Sequence, residues 1–131
     1  MKKIIAAVAA ALILTSCTIS SPITTTQKWL ESLKANDFQQ ASTLIVTQNN
    51  QPLSEEEQTH FANEFRERYG TVTAASVDNA IPLPEERLSH LKATEGFEVF
   101  FTQVSEKRGE EHLKRFVVKH EGEWKVVESI K

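Results

Sequence analysis

Residues 116–127 read Phe116-Val117-Val118-Lys119-His120-Glu121-Gly122-Glu123-Trp124-Lys125-Val126-Val127. Two runs rich in β-branched and aromatic residues flank Glu121-Gly122, a dipeptide suited to a tight turn. The stretch therefore predicts an antiparallel hairpin. A two- or four-residue loop at the turn sets Lys119 opposite Trp124, Phe116 opposite Val127 and Arg115 opposite Glu128. Lys119 then lies over the Trp124 ring, and Arg115 forms a cross-strand ion pair with Glu128. Side chains alternate along a strand, so the hairpin has two faces. One carries Phe116, Val118 and Val127 and is the expected core. Phe97, Val99 and Phe101 join it if the preceding strand matches in parity. The other carries Phe100, Val104, Leu113, Val117, Trp124, Val126 and Ile130, which is more apolar than an ordinary solvated sheet face. Phe100, Val117, Trp124 and Val126 are therefore a candidate interaction face for a second copy or another exported protein. The alternative is that a loop or residues 81–94 cover it.

Upstream of the hairpin the pattern is strand, then helix. Phe97 to Val104 alternates strongly, and Lys107-Arg108-Gly109 turns it into a strand from Leu113 to Lys119. Thr71 to about Ala80 is rich in β-branched and small residues, ended by Pro82 and Pro84. Glu85 to Lys92 reads as a short helix or an irregular excursion. Ser54 and Glu57 have capping-box spacing, acidic residues crowd the first turn after Ser54, and Gly70 is the expected stop. Between them Phe61, Phe65 and Tyr69 recur every fourth residue on one helix face. A first helix is expected from Thr24, with Trp29, Leu30 and Leu33 as its stripe. Asp37 and Gln40 restart the helix, with Phe38, Ala41, Leu44 and Ile45 facing inward. The predicted fold is α+β: N-terminal helices packed on a curved antiparallel sheet of about four strands.

The N-terminus reads as an address. Lys2 and Lys3 precede an apolar run from Ile4 to Leu14, the length of a secretory signal core and too short to span a bilayer. The run ends in Leu14-Thr15-Ser16-Cys17, which resembles the lipobox of bacterial lipoprotein precursors. That resemblance implies cleavage between Ser16 and Cys17, diacylglyceryl transfer to the Cys17 sulfur and acylation (palmitate or a similar chain) of its new amino group. Two or more chains make a lasting anchor where one does not. Thr18, where inner-membrane lipoproteins often carry Asp, favours the outer membrane, facing the periplasm. The expected organisation is a signal peptide over 1–16, an acylated Cys and tether over 17–23, and one domain over 24–131.

Several function classes fall away on composition. The chain has 131 residues and a formal net charge of -3, which offers no broad basic surface for nucleic acid. Its single Cys excludes an internal disulfide and any CxxC site. The histidines His60, His90, His112 and His120 lack metal-ligand spacing; His112 and His120 share strand parity but lie roughly 26 Å apart at about 3.3 Å per residue. They read as surface residues, and no metal or cofactor is expected. No nucleophile elbow, P-loop or dinucleotide-binding glycine pattern occurs.

The run Trp29-Leu30-Glu31-Ser32-Leu33-Lys34-Ala35-Asn36-Asp37-Phe38-Gln39-Gln40-Ala41, together with the closing hairpin and its Gly122-Glu123-Trp124-Lys125, resembles the nuclear transport factor two-like superfamily. The likeness is greatest to small exported bacterial domains called lumazine-binding-like. It implies a cone-shaped fold with a pocket between sheet and helices. The superfamily holds isomerases, dehydratases and non-catalytic accessory domains, so fold does not give function. If the cone is incompletely filled, Phe61, Phe65, Tyr69, Phe97 and Phe101 are the expected lining of a cavity for an apolar small molecule. Isomerase-type chemistry needs a carboxylate beside a donor; Tyr69 is the single Tyr and Asp78 the strand carboxylate. The blander reading makes Tyr69 a core ring and Asp78 a solvated residue. The expected protein is thus a lipid-anchored envelope protein with a non-catalytic binding or accessory domain. It acts first through the outer sheet face, alternatively through the cavity, with no catalytic residue assigned.

Overall fold

A computed structural model describes residues 21–128. Cys17, Ser16, the tether residues 18–20 and Ile130 lie outside the described residues. The chain opens with helix α1, Pro22–Lys34, two residues earlier than expected. Ser21 is its cap: the hydroxyl accepts from the Thr24 N–H, and the Thr24 hydroxyl accepts from the Ser21 N–H. Pro22 suits the first turn because that N–H has no helical partner.

Helix α2 (Phe38–Thr43) starts where Asp37 accepts from the Gln40 N–H at 3.1 Å. It ends sooner than the apolar face suggested. Ile45–Val46 leaves the helix as a two-residue strand, β1. Helix α3 (Glu55–Tyr69) has the expected reciprocal cap between Ser54 and Glu57. Gly70 closes it at φ 70°, a left-handed value that favours glycine. Strand β2 (Val72–Pro82), helix α4 (Glu85–His90), and strands β3 (Gly96–Ser105), β4 (Gly109–His120) and β5 (Glu123–Val127) complete the fold.

The sheet has five strands, not about four, in the order β1-β5-β4-β3-β2. The extra strand is β1, which pairs parallel to β5 through Ile45–Val126 and Val46–Val127. All other pairings are antiparallel. The hairpin register is as expected, with Lys119 opposite Trp124.

The two faces of the hairpin are the reverse of the expected assignment, while Phe97, Val99 and Phe101 do lie in the core. Phe97 pairs with Val117, Val99 with Arg115 and Phe101 with Leu113. These six residues therefore share one side of the sheet with Trp124 and Val126. That side packs under α1, α2 and α3 in the main core. Val117, Trp124 and Val126 are 0%, 7% and 1% exposed. They are not an outer interaction face, because the indole and its neighbours fill the interior the helices enclose. Phe100 does point the other way and is partly buried.

The opposite face is also partly covered. Phe116, Val118 and Val127 form a second cluster with Val46, Leu83, Leu91 and Ala93. Residues 83–93 therefore act as the expected cover, but over the residues first assigned to the core. Gly96 makes this seating possible. A Cβ there would lie 2.9 Å from both Leu83 Cδ1 and Leu88 Cδ2.

Candidate functional site

Under α3 the core is incompletely filled. A cavity of about 220 Å³ opens between this helix and the sheet. Its apolar wall comes from Trp29 on α1, Ile45 on β1, Phe61, Phe65 and Tyr69 on α3, and Val126 on β5. Helical spacing explains the α3 share. Phe61, Phe65 and Tyr69 stack along one stripe, at 5.9 and 4.6 Å between successive ring centroids. Glu57, His60, Glu64 and Arg68 flank that stripe and supply the polar lining on the same helix. His60 Nε2 stands 3.3 Å from Glu64 across one turn.

Two charged groups reach the cavity from the sheet, Arg115 and Glu128. Arg115 shares the inward side of β4 with Val117. Its guanidinium lies 5.9 Å from the Trp29 ring centroid and 6.0 Å from that of Phe101. Nη1 donates to the Lys114 carbonyl at 2.7 Å. Burial pushes the guanidinium down from its usual value, and the adjacent Tyr69 hydroxyl pulls it back up. An arginine remains charged through such shifts. Among the described residues no carboxylate forms an ion pair with it. The expected Arg115–Glu128 pair is therefore absent, because Arg115 turns toward Tyr69 and the rings.

Glu128 follows the last residue of β5. Its N–H donates to the Val46 carbonyl at 2.9 Å, and its own carbonyl accepts from the Gln48 side chain. Burial raises its carboxyl above the usual range, and the nearby Glu57 charge raises it further. A Gln48 backbone N–H and His60 oppose that rise. One more feature is a donor without a partner among the described residues: the buried Trp29 Nε1 makes no hydrogen bond with them.

Of the five expected lining rings, Phe61, Phe65 and Tyr69 border the cavity. Phe101 packs edge-on against Trp29 at 6.0 Å, and Phe97 against Trp124 at 5.8 Å, so both belong to the solid core. Asp78 is exposed and accepts from the Thr102 hydroxyl at 2.7 Å, away from Tyr69. The Tyr69–Asp78 couple is not assembled: Tyr69 is a buried ring and Asp78 a solvated residue, as the blander reading had it. Thr102 also bonds His112 Nδ1 at 3.0 Å. His120 is half-buried rather than solvated and meets Asn50 Oδ1 at 3.1 Å. Among the described residues no group of three His, Cys, Asp or Glu is placed to hold a metal, and no helix is long and apolar enough to cross a membrane. Sequence reasoning missed Trp29, Arg115 and Glu128 as cavity residues. The signal was present for Arg115, since hairpin parity already tied it to Val117.

No family model matches the chain, and no curated protein matches it. Among solved structures it is similar to a Campylobacter jejuni protein named as a candidate NTF2-like transpeptidase. The match has a TM-score of 0.52 and 13% identity, and covers 84% of this chain and 100% of that one. At that identity the likeness is one of architecture. The chain shares the fold of that NTF2-like protein, with helices over a five-stranded sheet and an open pocket between them among the described residues.

Proposed function

We propose that this protein is a lipid-anchored envelope protein whose domain binds a small molecule in the cavity between α3 and the sheet. One observation carries the binding reading: a cavity of about 220 Å³ lined by apolar rings also holds the sheet-borne Arg115 and Glu128. Ligand sites are commonly concave, mostly apolar and equipped with a few polar groups, whereas a plain core is filled. The anchor rests on Leu14-Thr15-Ser16-Cys17 at the end of its apolar run. The neighbour's name raises transpeptidation. That chemistry requires a nucleophile, and among the described residues the cavity lining contains no Ser, Thr or Cys.

A second reading has its own support. Glu128, with its raised carboxyl, lines the same cavity as the Tyr69 ring, and this is the pairing acid–base chemistry uses. Binding is preferred because it needs no reacting geometry beyond the pocket.

Native mass spectrometry of the full chain, extracted from bacterial membranes in detergent, tests the cavity. The expected result is a discrete extra mass released on unfolding. A bare chain in every preparation, whatever the growth medium, counts against it. Incorporation of labelled palmitate tests the anchor and should disappear in Cys17→Ser. Undiminished labelling of that variant would remove Cys17 as the lipid site.

A further inference from the structure

Resting on the cavity-binding reading, we propose that the ligand is a small organic monocarboxylate with an apolar body, its carboxylate held by Arg115 beside Tyr69 and Trp29.

The hydrogen-bonding inventory points this way. Arg115 offers five N–H donors and no acceptor. Among the described residues one hydrogen bond, to the Lys114 carbonyl, engages it, and the Tyr69 oxygen and the Arg68 charge are its other polar neighbours. With that oxygen turned to the guanidinium, the Tyr69 hydrogen is left for another acceptor. Trp29 is 2% exposed and lines the cavity, and its indole N–H has no partner. Three donor side chains thus border one space, with the Tyr69 oxygen the one side-chain acceptor among them. A buried donor left unpaired is costly, and the partly buried Arg115 has no ion-pair partner among the described residues. A carboxylate would satisfy Arg115 and the Tyr69 hydroxyl beside the Trp29 ring, and arginine suits it in particular because its planar fork matches two oxygens.

The remaining lining restricts the rest of the ligand. Phe61, Phe65, Ile45 and Val126 accept an apolar body. Glu57, Glu64 and Glu128 border the same cavity and disfavour a second negative charge.

The test compares phenylacetate with its neutral isostere phenylacetamide and with the phenethylammonium cation. Each is titrated into the full chain in detergent. Affinity is read by calorimetry, and contact by the indole ¹⁵N–¹H signals of Trp29 and Trp124. Phenylacetate should bind at least about tenfold tighter than the amide, as a charge-assisted contact implies. It should also shift the Trp29 signal and leave Trp124 unmoved. Arg115→Gln should erase the acid-over-amide preference, and Tyr69→Phe should reduce it. If Arg115→Gln fails to fold, the wild-type ratio and Tyr69→Phe decide.

Equal binding of acid and amide overturns the carboxylate proposal and leaves the cavity reading intact. Tighter binding of the cation overturns it as well, by making the glutamates the recognising groups. No binding of any probe at millimolar concentration also overturns it; the cavity reading is then judged by native mass alone.

Discussion

Lys119 Nζ stands 4.9 Å from the centroid of the Trp124 ring, directly across the β4–β5 hairpin. The indole thus lies between a partly exposed cation and the buried core, where its edge meets Phe97. The two residues should therefore differ sharply in weight. Trp124→Ala opens a cavity and should destabilise the domain by about 3–5 kcal/mol. Lys119→Ala should cost at most about 1 kcal/mol. Urea unfolding of the full chain checks both. A Trp124→Ala domain as stable as wild type would contradict the burial of this face.

Gly96 is the contact point of the second cluster. A methyl group there meets Leu83, Leu88 and, at 3.1 Å, Val118 Cγ1. Gly96→Ala should therefore lift residues 83–93 off the sheet and cost about 1–3 kcal/mol. Hydrogen exchange should accelerate at Leu83 and Ala93, whose N–H groups bond Gly96 and Leu88 carbonyls. Unchanged protection there would mean that the leucine ends rotate aside without loss.

Asn50 ties three segments together. Its Nδ2 donates to the Lys92 and Lys119 carbonyls at 3.1 and 3.3 Å, and its Oδ1 meets His120. Its φ is 59°, a left-handed value that asparagine tolerates better than most residues. Asn50→Ala loses the bonds and adds backbone strain, so a loss of about 1–3 kcal/mol is expected. Asn50→Gly relieves the strain and should recover part of that loss. If both variants melt with wild type, the loop is not held by this side chain.

Glu128 gives a pH-dependent prediction. Its carboxyl is raised in the folded chain, so the folded state favours the protonated form. Its contribution to stability is then fully present below the unfolded carboxyl range and is lost as pH rises through the raised folded value. Glu128→Gln should melt above wild type at neutral pH, with the difference vanishing below about pH 4. A Glu128→Gln domain that is less stable at neutral pH would show that the carboxylate has a favourable partner.

Much of the local structure was legible in the residues. The Asp37–Gln40 and Ser54–Glu57 caps, the Gly70 stop and the Lys119–Trp124 register all depend on contacts within a few residues, or across one turn. The Phe61, Phe65 and Tyr69 stripe followed from helical period, and half of the cavity wall came with it. Strand β1 did not show, because two residues cannot display a period. Leu44 and Ile45 continued the apolar face of α2, and only pairing with β5 draws Ile45–Val46 into the sheet.

Local sequence determined where α2 and α3 begin and which side chains share a face. It left open which face lies inside, because both faces of the hairpin are apolar: Phe116, Val118 and Val127 on one, Val117, Trp124 and Val126 on the other. Alternation separates two such sets but carries no sign. The choice came from long-range packing. Phe97 and Phe101 pair onto the Trp124 side, where Trp29 of α1 meets Phe101, while Gly96 lets the short α4 segment close over the other. The same choice turns Arg115 from a surface strand residue into a partly buried cation, since a side chain takes its environment from whichever helices cover its face.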